Sequence, residues 1–167
     1  MQTTCLPIGS RQDSFTHCDI ETMDQTLYCE VIRADWSDMK TVMMAIRQAV
    51  FIDEQKVPEH LEWDGKDEEA MHFIAMNIDG EPIGTARLTA EGQISRLSVL
   101  QPFRGQGVGS ELLRLIEQAA RVASLEEIYL HAQTHAISFY EAAGFITNGG
   151  VFVEASIPHR MMIKDLR

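Results

Sequence analysis

The run Arg104-Gly105-Gln106-Gly107-Val108-Gly109, followed by Ser110, carries the densest chemical signal in this 167-residue sequence. Glycines spaced this way let a backbone turn sharply and approach an anion with no Cβ in the way. The helical pattern that begins just after them presents unpaired N–H groups and the positive end of a helix dipole at the same spot. The two features together make a cradle for phosphate. A Walker loop would place Lys and then Ser or Thr after the last glycine, where Ser110 and Glu111 stand instead. That loop is excluded. A dinucleotide fingerprint would need glycine at Ser110 and an acidic residue at the end of the next strand, where His131 stands. Too few residues follow Gly105 to complete a doubly wound sheet, so this alternative fits poorly.

The elements that must position the loop follow from periodicity. Residues 1–25 are polar and aperiodic and read as a poorly ordered extension, with Met23 as a possible alternative start. One domain is expected over 26–167. Leu27–Arg33 reads as a strand, and Asp35 or Ser37 caps a helix whose apolar positions Met39, Val42, Met43, Ile46, Ala49 and Val50 recur at helical spacing. The irregular acidic stretch Asp53–Glu69, with Pro58 and Asp64-Gly65, is long for a loop, so it is partly helical or functional. Met71–Ile78, Pro82–Thr89 and Gln93–Val99 read as an antiparallel meander with turns at Asp79-Gly80 and Glu91-Gly92. A helix with Leu112, Leu113, Leu115, Ile116, Ala119, Ala120 and Val122 on one broad face follows the glycine loop. Strand Glu127–His131, helix Ala136–Ala143 stopped by Gly144, and strands from Phe145 and over Arg160–Leu166 complete the chain. The order β α β β β α β α β β defines a mixed α/β (α+β) domain.

Composition narrows the partners. A net charge of −11 argues against nucleic acid, whose binding relies on clustered Lys and Arg, and weakly against anionic membranes. No apolar run approaches the length of a spanning helix, and the N-terminus lacks the order of a signal peptide. Cys5, Cys18 and Cys29 are odd in number and confined to one end, which suits a reducing, cytoplasmic setting. His17-Cys18 lacks a plausible set of companion ligands, so no metal is expected.

The glycine run also resembles the R-x-x-G-x-G motif of the GCN5-related N-acetyltransferases (GNAT), where that loop binds the pyrophosphate of coenzyme A. The flanking Arg96-Leu97-Ser98-Val99 and Leu112-Leu113, and the later Phe139-Tyr140-Glu141-Ala142-Ala143-Gly144-Phe145, are similar to the same family. A closer likeness, to the ElaA/YjcF-like branch, lies in Phe51–Pro58, Glu62-Trp63-Asp64, Gly84–Leu88, Leu130–Gln133 and Ile157-Pro158-His159. The resemblance covers Leu27 to the end. It implies a GNAT-like fold: a central, mostly antiparallel sheet splayed between two strands, with helices on both faces.

It further implies a function: transfer of an acetyl or short acyl group from acetyl-CoA to the primary amine of a small molecule. A CoA-binding sensor without turnover, or a peptide or protein N-acetyltransferase, are the competing readings. A monomer or a homodimer fits equally. By resemblance, Leu97, Ser98 and Val99 form the edge along which the pantetheine arm pairs, and the N–H at or near Val99 polarises the thioester carbonyl. Backbone amides of Gly105, Gln106, Gly107, Val108, Gly109 and Ser110 hold the pyrophosphate. Arg104 adds charge or caps the loop from outside, and Gln133 takes the place of an Asn that contacts pantetheine in many relatives. Tyr140 matches a tyrosine that protonates the departing thiolate. The acceptor must be neutral to attack, and Glu54, His72, His131, Glu154 and His159 are candidate bases or orienters, with His131 and Glu54 foremost.

Overall fold

The structure is a computed structural model and describes residues 29–167; the N-terminal extension, His17, Cys5 and Cys18 lie outside them. Seven strands form one open sheet in the order β1-β2-β3-β4-β5-β7-β6. They are β1 (Glu30–Ala34), β2 (Met71–Met76), β3 (Pro82–Leu88), β4 (Gln93–Val99), β5 (Glu127–Gln133), β6 (Ile146–Glu154) and β7 (Ile157–Asp165). Every neighbouring pair is antiparallel except β4 with β5. The helices are α1 (Trp36–Arg47), α2 (Glu59–Glu62), α3 (Val108–Val122) and α4 (Ile137–Ala142). None of the described helices is long and apolar enough to cross a membrane.

The period-2 alternation of β2 divides the apolar residues between two faces. Phe73 and Ala75 join Leu112, Leu113 and Ile116 of α3 in the main core. His72, facing the other way, stacks on Trp36 of α1 at 4.8 Å. Val122, expected on the same face of α3 as Leu112, is left exposed at the last turn of that helix. Asp35 caps α1 by accepting from the Ser37 N–H. The helix does not stop near Val50 as its apolar spacing predicts. It continues as a π-helix, Gln48–Glu54, closed by a bond from the Gln55 N–H to the Val50 carbonyl. Such a wide turn rotates the following side chains off the α-helical stripe.

The acidic stretch after it is fastened by charge. Arg47, from the end of α1, reaches Glu62 and Asp67; Arg87 of β3 binds Asp64 and Asp67; Arg96 of β4 binds Glu62 and Asp64. Arg47 and Arg87 are 1% and 2% exposed, so these ions are paired where water cannot help them. Burial works to raise the Asp67 carboxyl, but the hydrogen bonds and charges of Arg47 and Arg87 hold it below the usual carboxylate value. Removing one partner from such a cluster strands the others. Asp67→Asn is therefore expected to destabilise the fold by about 3–5 kcal/mol, seen as a lower urea midpoint. A midpoint within error of wild type would show that the cluster contributes nothing net.

Candidate active site

The site begins at a fault in the sheet. Arg87 pairs with Ser95, but two residues back on β3, Thr85 pairs with Ser98, so β4 carries one extra residue. Within that bulge Arg96 adopts φ +55°, a left-handed conformation that side chains other than glycine rarely take. The β4–β5 pairing consists of Gln93 with Tyr129 and Ile94 with Leu130, and it ends where the bulge starts. Beyond it the strands diverge. The expected V-shaped gap between Gln93–Val99 and β5 is present. The Leu100 N–H donates to Ile83 across β3, so by strand alternation the Val99 N–H faces the gap.

The glycine loop closes one end of this gap. A short 3-10 turn, Gln101–Phe103, leads from β4 into it. Gly105 and Gly107 have φ of +73° and +87°, and a Cβ on either would meet nothing within 4 Å. The turn therefore bares its backbone to open space directly at the N-terminus of α3, where amides lack helical partners. Gly109 serves differently: a Cβ there would come within 3.1 Å of the Phe139 ring, so its lack of a side chain lets α4 pack close.

One cavity of about 750 Å³ runs from this loop along the gap. It gathers most of the residues expected from sequence, including Leu97–Val99, Gly105, Gly107–Ser110, Gln133, Tyr140 and His131. Glu154 and His159 border it too. Tyr140 lies against Phe139 at 4.9 Å and Phe145 at 6.0 Å, and burial pushes its phenol up to about 12. The His131 Nδ1 lies 2.9 Å from Glu154 Oε2, and its ring meets the edge of Phe152 at 4.9 Å. Gln133 donates from Nε2 to Gln55 Oε1 at 2.9 Å, joining β5 to the end of the π-helix.

Of the other expected residues, Arg104 borders the cavity too, while Glu54, Gln106 and His72 do not. Both Glu54 oxygens accept from Arg104 at 2.7 Å, which holds the Glu54 carboxyl below its ordinary value. Arg104 Nε also donates to the Val99 carbonyl at 2.8 Å, so its guanidinium braces the loop from the wall of the cavity. The Gln106 side chain bonds back to the Pro102 carbonyl. His72 is buried beneath α1, with its Nε2 2.8 Å from the Asp67 carbonyl, away from the cavity. Glu62, Asp64 and Arg96 border the cavity although the sequence singled them out only as part of a family likeness. Their ion-pairing partners are spread from Arg47 to Arg96, and such pairing leaves no local spacing to read.

A sheet splayed at a bulge, with a glycine turn at the helix that follows the splayed strand, defines an acyl-CoA-dependent acyltransferase class. A family model for the acetyltransferase (GNAT) domain matches residues 32–166. The N-acetyltransferase YjcF of Bacillus subtilis is 35% identical over 125 residues, 72% of this chain and 88% of that protein. Among solved structures, an acyl-CoA N-acyltransferase from Pseudomonas aeruginosa is 31% identical with a TM-score of 0.72, covering 82% of this chain and 99% of that one. Escherichia coli ElaA is 29% identical, also with a TM-score of 0.72, over 81% and 99% of the two chains. The chain belongs to the GNAT N-acetyltransferase family, in the branch that includes YjcF and ElaA.

Proposed function

We propose that the protein transfers an acetyl or short acyl group from acyl-CoA to the primary amine of a small molecule by direct transfer in a ternary complex. The observation that carries this reading is the single cavity joining the bared glycine turn, the free edge of β4 and Tyr140 to a polar end at His131 and Glu154. The residues present fit the cosubstrate. Space beside Gly105 and Gly107 and the amides opening α3 suit a pyrophosphate. The gap-facing Val99 N–H suits a thioester carbonyl, and stabilises the charge that gathers there during attack. Gln133 borders the same path and would hold the pantetheine arm.

Tyr140 would give its proton to the departing thiolate. Glu54 would act through Arg104, fixing the loop and the Val99 carbonyl, since both its oxygens are occupied. Acetyl-CoA supplies the acyl group and the thiol leaving group. The test is a screen of small amines with acetyl-CoA, following free thiol and the N-acetyl product by mass. Amine-dependent release is expected. Tight CoA binding without turnover on any amine or peptide would assign the protein to binding instead.

A further inference from the structure

We infer that Glu154 is the positioning residue of the acceptor base, fixing His131 in the tautomer whose Nε2 lone pair takes the acceptor's proton. This rests on the acyl-transfer reading above and specifies how the amine is made neutral.

A carboxylate only accepts hydrogen bonds, so at 2.9 Å the His131 Nδ1 carries the hydrogen and Nε2 is left as the acceptor. The ring is clamped: the carboxylate holds one nitrogen and Phe152 holds its side at 4.9 Å. Among the described residues three carboxylates border the cavity, and they differ in their partners. Glu62 and Asp64 are bound by arginines, while Glu154 is bound by the imidazole. An acid engaged by arginine has no proton to pass on. One bonded to histidine can fix the ring's tautomer and orientation and steady the imidazolium that forms.

The backbone that delivers Glu154 is itself unusual. Ala155 and Ser156 form the two-residue turn between β6 and β7, with φ of +50° and +64°. Consecutive left-handed residues suit a two-residue hairpin, but glycine or asparagine normally supplies them. The turn locks Glu154 opposite Ile157 and Phe152 opposite His159. His159 then pairs with Gln133 on β5, two residues beyond His131. By register His131 stands level with Met161 and Asn148, so the tip of the β6–β7 hairpin must fold back over β5 to bring the carboxylate within 2.9 Å of the imidazole.

The protons balance. An incoming ammonium gives its first proton to His131 Nε2, and the freed nitrogen forms the C–N bond as the C–S bond breaks. Tyr140 gives its proton to sulfur and regains one from the same nitrogen as it becomes an amide. The proton on His131 leaves to water beside Glu154, whose side chain is 54% exposed.

The test compares wild type, Glu154→Gln and His131→Gln on the best alkylamine from the screen and on methoxyamine, a far weaker base that arrives neutral. His131→Gln should lose roughly 10²–10⁴-fold in kcat/KM on the alkylamine and only a few-fold on methoxyamine. Glu154→Gln should lose at least about 10-fold on the alkylamine, with the same rescue, and keep CoA affinity and melting temperature. Nitrogen-15 NMR of the His131 ring should show protonated Nδ1 and bare Nε2 in wild type, and a mixture of tautomers in Glu154→Gln. Equal losses on both amines, or an unchanged tautomer with full activity in Glu154→Gln, would overturn the assignment. Wild type lacking amine-dependent thiol release would overturn the acyl-transfer reading itself.

Discussion

Tyr140→Phe is expected to lower kcat by roughly 10²–10⁴ while KM for the acyl donor stays nearly constant. The substitution removes one hydroxyl and keeps the ring, so the edge contacts with Phe139 and Phe145 persist. The phenol, pushed up to about 12 by burial, holds its proton across the working pH range and is ready to donate. A CoA thiolate in water has a conjugate acid near 8.5, which alone would make the transfer uphill. In the proposed reaction the thiolate would form beside the same buried phenol, where desolvation would raise its basicity as it raises that of the phenolate. The mismatch narrows where the reaction happens. Donors with more acidic thiols should depend less on Tyr140, because they leave without help. Steady-state kinetics over a short donor series checks both points. Near-normal turnover with a lowered melting temperature would make Tyr140 a packing residue.

Gly107→Glu should abolish CoA binding. The added side chain would project from a bared turn into the space proposed for the pyrophosphate and place a carboxylate against phosphate. At φ +87° any L side chain also strains the backbone by about 1–2 kcal/mol. Gly107→Ala separates the two causes: a Cβ there meets nothing within 4 Å, so it adds strain with neither bulk nor charge. Calorimetric titration should show a partial loss for alanine and none of the wild-type heat for glutamate, with both variants folded. Unchanged affinity in the glutamate variant would mean that the loop holds something else.

The order of elements along the chain and the glycine turn were legible because each rests on local spacing. Alternation marks β2 to β4, and the Leu112–Ala120 stripe marks α3. Ends were less clear. β7 begins at Ile157 and not Arg160, because Pro158 and His159 interrupt the apolar alternation while the backbone still pairs with β6. α1 runs on as a π-helix because Phe51 and Ile52 continue an apolar run whose period no longer fits 3.6 residues. Residues His131 and Glu154 could each be named from sequence. Their union could not, because it depends on how the tip of the β6–β7 hairpin folds back over β5. The arginine cluster was the least visible. Arg47, Arg87 and Arg96 converge only after three elements have packed, and charge carries no period.

The Arg96 bulge also bears on how the molecule coheres. Strands β1–β4 and β5–β7 are two leaves joined along the sheet by just two residue pairs. Such a seam is too short to make them fold as one. The spine is α3 and the core beneath it, where Ile83 and Ile94 of one leaf meet Ile128, Leu130 and Met162 of the other. The molecule is thus joined at one end of the seam and through the core, and parted along the strands beyond Ile94 and Leu130. Its cooperativity resides in that shared core, so residues at the parted edge that stand outside it can change while the joining of the leaves stays the same.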